Sequence, residues 1–107
     1  MKNSMPFIKE LDGRRKFKRI FGNSDKKKGL SSGLVILKKG DTVGIHNTKK
    51  KEEIVVVLDG KARVDVADKH FVLGKGMMLY IPPKTLHNVK NIGARLLKYL
   101  YVTAVAI

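Results

Sequence analysis

The feature that most constrains the fold is a series of short apolar segments, from Leu30 onward, that glycine, Asp-Gly and proline separate. The segments are rich in valine, isoleucine and tyrosine and recur about every 8–12 residues, as in β-sandwiches and β-barrels. No segment has sustained helical periodicity, which favours an all-β fold over alternating strands and helices. The segments are Leu34–Leu37, Ile54–Leu58, Ala62–Val66, Phe71–Leu73, Met77–Ile81 and Leu96–Val105.

Two of these segments carry more specific predictions. The dipeptide Asp59-Gly60 between Ile54–Leu58 and the next segment is typical of a type I′ hairpin, so we expect the two strands to be antiparallel neighbours. Residues 61–66 alternate between apolar and polar, which predicts one buried and one solvated face. Ile54–Leu58 is apolar on both faces, and its outer face therefore needs a cover. Together with the long apolar C-terminal segment, this predicts a homodimer.

The chain of 107 residues is 43% apolar, enough for one core but not for two. Residues 1–29 are polar and basic, with a possible edge strand over Lys16–Phe21 and then a loop through Gly22–Asp25 and Lys26–Lys28. We therefore predict an N-terminal basic segment over residues 1–29 and a β-barrel domain over residues 30–107.

The chain has no cysteine, so disulfides, thiolate ligands and cysteine nucleophiles are excluded, and any metal must be held by imidazole and oxygen. Charged residues at positions 2, 9, 10 and 12 interrupt any signal-peptide core. The apolar stretch Tyr99–Ile107 is shorter than the about 20 residues of a membrane span. We expect a cytoplasmic protein without a membrane partner.

The formal net charge is +14. The excess comes mainly from lysine, 18 residues against 5 arginines, whereas specific nucleic-acid recognition relies on arginine and stacking aromatic residues. The lysine runs lie at predicted turns, where solvated loops explain them. We expect no nucleic-acid partner beyond non-specific attraction.

Two of the three histidines lie in patterns with defined spacing. The first pattern is Gly40, His46, Thr48, Glu53 and Gly60, and the second is Gly76, Pro82, Lys84, His87 and Asn91. Both spacings resemble the two motifs of the cupin superfamily, with Thr48 in place of a histidine and Lys84 in place of a glycine. The resemblance covers Leu30 to Val105 and implies a double-stranded β-helix, or jelly-roll barrel.

The spacing also makes physical sense by itself. His46 and Thr48 are two residues apart in an extended segment and share a face. A polar turn at Lys49–Lys51 returns the chain, so that Glu53 projects into the barrel near His46, and His87 follows a proline-rich bend on a facing strand. His46, Glu53 and His87 thus predict a site for a divalent transition metal with open coordination positions. Iron, zinc, manganese and nickel all accept this ligand set.

Other candidate site residues surround this predicted triad. Thr48 is a weak metal ligand, so we expect it either to support the ligands or to fill its position. Tyr80 and Tyr99, or Tyr101, are expected to place a hydroxyl in the cavity. The cupin resemblance implies either an enzyme, with dioxygenation, sugar-phosphate isomerisation or decarboxylation as alternatives, or a non-catalytic sensor. The ligand is expected to be a small metabolite, with an anionic one among the alternatives.

Overall fold

The computed structural model describes residues 6–11, 16–21 and 29–106. These residues form nine β-strands. The strands are β1 (Phe17–Phe21), β2 (Leu30–Leu37), β3 (His46–Asn47), β4 (Lys51–Asp59), β5 (Lys61–Val66), β6 (Lys69–Gly74), β7 (Met78–Ile81), β8 (Leu86–Asn91) and β9 (Leu97–Val105). Among the described residues, no helix is long and apolar enough to cross a membrane.

The strands form two antiparallel sheets that face each other across one core. One sheet has the order β1-β2-β9-β4-β7 and the other the order β3-β8-β5-β6. Strands distant in sequence are neighbours in both sheets, as expected for a jelly roll. The core contains the buried side chains of both inner faces, namely Val35, Leu37, Val55, Val57, Ala62, Val64, Leu73, Ile81, Val89, Leu97 and Tyr99. The predicted all-β jelly-roll class is confirmed.

The inward positions of the five-stranded sheet change character along its strands. At one end Leu37 of β2 lies opposite Leu97 of β9, and both are fully buried. Six residues further along β9, Thr103 lies between Ser31 of β2 and Glu53 of β4. The same strands therefore build an apolar end and a polar end of the barrel interior.

The predicted hairpin at Asp59-Gly60 is wrong. Strand β4 pairs with β7 and β9, whereas β5 pairs with β6 and β8, so the two strands belong to different sheets. Only Gly60 of the pair has a positive φ, 93°, and a type I′ turn requires two. A Cβ at Gly60 would lie 2.7 Å from the Leu96 carbonyl oxygen. Asp59-Gly60 therefore forms a tight connection from one sheet to the other. The backbone at the start of β9 packs closely against Gly60.

Other boundaries also differ from the sequence prediction. The sequence placed Lys51 in a turn, but it is the first residue of β4. Strand β1 is an edge strand paired with β2, within the segment where the sequence predicted one. The predicted loop through Gly22–Asp25 and Lys26–Lys28 lies outside the described residues, and the division at residue 29 stays a prediction. The outer face of β4 carries Ile54, which is 38% exposed.

Candidate metal centre

The structure brings the three predicted ligands together from both sheets. His46 on β3 and His87 on β8 are partners in register, and their ring centroids lie 3.9 Å apart at an interplanar angle of 62°. Glu53 comes from β4 of the facing sheet, two residues before the buried Val55. The pairing of β3 with β8 positions the two imidazoles side by side, and the packing of the sheets supplies the carboxylate.

A backbone carbonyl two residues earlier in the chain orients each imidazole. Nδ1 of His46 lies 3.0 Å from the Gly44 carbonyl oxygen, and Nδ1 of His87 lies 3.2 Å from the Thr85 carbonyl oxygen. Since a carbonyl oxygen accepts and never donates, Nδ1 carries the proton in both rings. The lone pair of each neutral ring is therefore on Nε2, the tautomer that metal-binding histidines adopt when a carbonyl fixes the other nitrogen.

His87 is the most enclosed of the three residues. Its side chain is 0% exposed, and Nε2 lies 3.4 Å from Oε1 of Glu53 without hydrogen-bond geometry. Burial acts to lower the pKa of this imidazole, but the Glu53 carboxylate and the Thr85 carbonyl outweigh it and raise the pKa above its usual value. A buried nitrogen without a hydrogen-bond partner is costly in a protein interior unless another ligand satisfies it.

The donor set fits a divalent transition metal. One ligand atom from each of His46, Glu53 and His87 lies within 4.8 Å of the other two. Donors that share one ion lie about 3–4 Å apart, so modest side-chain rotations bring these three into coordination distance. Two imidazoles and one carboxylate leave further positions for water or a ligand. The unpartnered Nε2 of His87 is the atom that such an ion would satisfy.

Thr48 is buried beside the triad and joins two turns. Its hydroxyl donates to the Pro82 carbonyl oxygen at 2.8 Å and accepts from the Thr85 backbone N–H at 3.1 Å. The Lys84 N–H adds a bond to the Lys49 carbonyl oxygen at 2.8 Å. Of the two sequence expectations for Thr48, the contacts favour support of the ligands, because the same Thr85 orients His87.

A cavity of about 440 Å³ opens beside the triad, and Tyr99 and Tyr101 of β9 form part of its wall. Burial raises the pKa of Tyr99 well above its usual value, and the Glu53 carboxylate adds to the shift, so the phenol stays protonated. Tyr101 lies across Gly33 of β2, where a Cβ would lie 2.5 Å from the tyrosine hydroxyl oxygen. Tyr99 lines the cavity, and the expectation that its hydroxyl enters the cavity stays a prediction.

Tyr80 does not line the cavity. It lies on the outer face of β7, is 53% exposed, and donates its hydroxyl to Oε1 of Glu52 at 2.7 Å. This hydrogen bond raises the pKa of the phenol. The prediction failed because of the register between β7 and β4. Ile81 is the partner of Glu53 and faces inward with it, whereas Tyr80 is the partner of Ile54 and faces outward.

Sequence reasoning missed several residues of the cavity wall. Lys51 and Thr103 line it from β4 and β9, and Phe17 lines it from the edge strand β1. Lys51 was interpreted as part of a solvated lysine run, although its spacing of two from Glu53 is the signal for a shared face. Phe17 carried no comparable signal, because its position depends on the pairing of β1 with β2.

The fold and the site together define a small jelly-roll protein with a candidate metal centre at one end of its barrel, and comparisons identify its family. Residues 33–103 match the family model described as Cupin domain. An uncharacterised protein of Methanocaldococcus jannaschii, MJ1618, is 36% identical over 75 residues, which cover 68% of this chain and 60% of that relative. The chain belongs to the cupin domain family.

Solved structures agree on the fold. A cupin protein from Bacteroides fragilis superposes with a TM-score of 0.79 at 22% identity, over 99% of this chain and 87% of that one. A protein from Thermotoga maritima described as a predicted oxalate decarboxylase superposes with a TM-score of 0.78 at 19% identity, over 84% of this chain and 79% of that one. At this level of identity, the likeness concerns the fold alone.

Proposed function

We propose that this cupin holds a divalent transition metal with His46, Glu53 and His87 and acts on a small anionic metabolite in the adjoining cavity. One observation carries the proposal: both imidazoles have Nδ1 held by a carbonyl, and His87 has a buried, unpartnered Nε2 beside Glu53. Iron, zinc, manganese and nickel remain the candidate metals, and each would supply Lewis-acid activation of a bound oxygen.

The preference for an anion follows from charge. A divalent ion with two neutral imidazoles and one carboxylate has a net charge of +1, which attracts an anionic oxygen ligand. Tyr99 adds a neutral phenol to the cavity wall as a hydrogen-bond donor. The apolar residues Val35 and Val43 line the same cavity, so a compact ligand displaces water from apolar surface when it enters.

The test is whether a metal at this site accepts a ligand from solution. We expect Co²⁺ to bind the metal-free protein with a visible spectrum, and added azide to change that spectrum by entering an open coordination position. His87→Ala serves as the control and should give neither signal. Failure of Co²⁺ to bind, or a spectrum that azide leaves unchanged, would contradict the proposal.

A second candidate is binding without turnover. Among the described residues that line the cavity, Glu53 is the only carboxylate, and the metal site uses it. The wall therefore lacks a further carboxylate to act as general base. Incubation of the metal-loaded protein with a bound metabolite, followed by NMR, separates the candidates, because a sensor returns its ligand unchanged.

We also propose a homodimer formed through the outer face of the five-stranded sheet. Ile54, Met78 and Tyr80 on this face are 38%, 65% and 53% exposed, so a second copy would remove much apolar surface from water. Light scattering at micromolar concentration should give a dimer mass, and Met78→Glu should shift it towards the monomer. A monomer mass for the wild-type chain would refute the proposal.

We propose the cytoplasm as the compartment of this protein. The support is compositional, because a chain without cysteine has no need of an oxidising environment. Fractionation of the source cells with an antibody against the protein should recover it with cytoplasmic markers. Recovery mainly outside the cytoplasm would contradict this assignment.

A further inference from the structure

Lys51 occupies an unusual position for a lysine of this chain. It is the first residue of β4 and lies two positions before Glu53, so both side chains are on the same face of the sheet. It is partly buried, unlike the exposed Lys49 and Lys50 that precede it, and it lines the cavity. The chain has 23 lysine and arginine residues. Among the described residues that line the cavity, Lys51 is the only lysine or arginine.

The ammonium group of Lys51 has no carboxylate partner among the described residues. The ion pairs within that part of the chain join Asp65 to Arg63 and to His70, and Oε1 of Glu53 lies 3.4 Å from Nε2 of His87. Glu53 is the only carboxylate among the described residues of the cavity wall, and the proposed metal site uses it. An unbalanced positive charge in a partly enclosed cavity attracts anions more strongly than a solvated surface lysine does.

We propose that Lys51 binds a second anionic group of a ligand whose other end coordinates the metal at His46, Glu53 and His87. This inference rests on the proposed function and names its substrate class. The Cα atoms of Lys51 and Glu53 are about 7 Å apart along the strand, and the flexible side chain of Lys51 allows its ammonium group to approach the far carboxylate of a four- or five-carbon dicarboxylic acid bound at the metal. A hydroxyl or keto oxygen beside one carboxylate completes the chelating end. The class is therefore small dianionic hydroxy or keto acids.

The experiment compares two acids that share the chelating end. Malate has a hydroxyl beside one carboxylate and a second carboxylate at the far end, whereas 2-hydroxybutyrate has a methyl group there. By calorimetry, the Zn²⁺-loaded protein should bind malate about 10-fold more tightly than 2-hydroxybutyrate, as expected for one charge-assisted hydrogen bond. Lys51→Met and Lys51→Gln should remove this difference, and Lys51→Arg should restore it. The matched control Lys50→Met should retain it.

Metal content, measured on each sample, separates this inference from the proposed function. If the protein retains Zn²⁺ but binds the two acids equally, or binds neither, the role of Lys51 is overturned while the metal site stands. If the malate preference survives in both Lys51→Met and Lys51→Gln, the role of Lys51 is likewise overturned. If the wild-type protein holds no Zn²⁺, the proposed function fails first.

Discussion

The two ends of the barrel interior are built from the same strands and differ in how their buried polar groups are satisfied. Asn91 and His87 lie on the same inner face of β8, four residues apart, and both are at most 2% exposed. Asn91 donates to the carbonyl oxygens of Leu37 and Arg95 and accepts from the N–H of Gly93. Nε2 of His87 has no hydrogen-bond partner.

Asn91 and His87 thus differ in role although both lie on β8: the hydrogen bonds of Asn91 stabilise the fold, whereas His87 keeps a nitrogen available for a ligand. At the apolar end the Asn91 side chain makes hydrogen bonds to three backbone groups. Leu37 and Leu97, at the same end, are fully buried. At the polar end the Thr85 carbonyl oxygen holds Nδ1 of His87, and Nε2 of the same ring lies beside Glu53, which lines the cavity. Most buried polar groups of a fold are satisfied, and the unpartnered Nε2 of His87 is distinguished by the two further candidate ligands, His46 and Glu53, that lie beside it.

The largest effect on stability is expected for Asn91→Ala. The change leaves two carbonyl groups and one N–H without their side-chain partner, so the free energy of unfolding should fall by about 2–4 kcal/mol. Urea denaturation of the metal-free protein measures the loss. The control is Asn88→Ala, because Oδ1 of Asn88 has no hydrogen-bond partner. Equal losses in the two variants would break the contrast between the two ends.

An intermediate effect is expected for Thr48→His, which tests the open coordination positions. The variant gives up the bonds to Pro82 and Thr85, so the metal-free protein should lose about 1–2 kcal/mol of unfolding free energy. Thr48 and His46 line the same cavity, so the new imidazole should tighten metal binding as a fourth ligand. Competition with a chelator measures the affinity. The control Thr48→Val should lose stability without any gain in affinity, and equal affinities for the two variants would count against open positions.

The smallest effect is expected for Lys84→Gly. Lys84 has a φ of 55°, a left-handed conformation that glycine adopts without steric cost. The variant should therefore gain about 0.5–1 kcal/mol of unfolding free energy, with metal content unchanged. Lys50→Gly is the control, since Lys50 has no positive φ and should show no gain. A loss of stability in Lys84→Gly would mean that the lysine side chain contributes contacts that outweigh the backbone strain.

The sequence predicted the parts of the fold and site that depend on local periodicity and spacing. The alternation in residues 61–66 gave the correct buried face of β5, and the spacing of His46, Glu53 and His87 gave a set of residues that converge in the structure. The cupin resemblance was confirmed by the family match over residues 33–103. These features need only the face on which a side chain lies, and the two-residue period of a strand specifies that.

The features that failed depend on pairing between distant segments. Asp59-Gly60 has the local signature of a hairpin, but the sheet order sends the two strands into different sheets. Tyr80 faces outward because of the register of β7 on β4, which its own segment does not encode. Lys51 lines the cavity because β4 begins at this residue, two positions before Glu53, so both side chains lie on the same face of the strand. Local patterns specify alternation, whereas tertiary packing selects which alternating set faces inward.

The central claim, that the polar end of the barrel is a metal site, is tested most directly by elemental analysis of the purified protein. We predict about one transition-metal ion per chain for the wild type and for His70→Ala, whose imidazole lies outside the triad and binds Asp65. His46→Ala, Glu53→Ala and His87→Ala should each lose most of the metal, because two protein ligands hold a hydrated ion weakly. Full metal retention in all three variants would contradict the account.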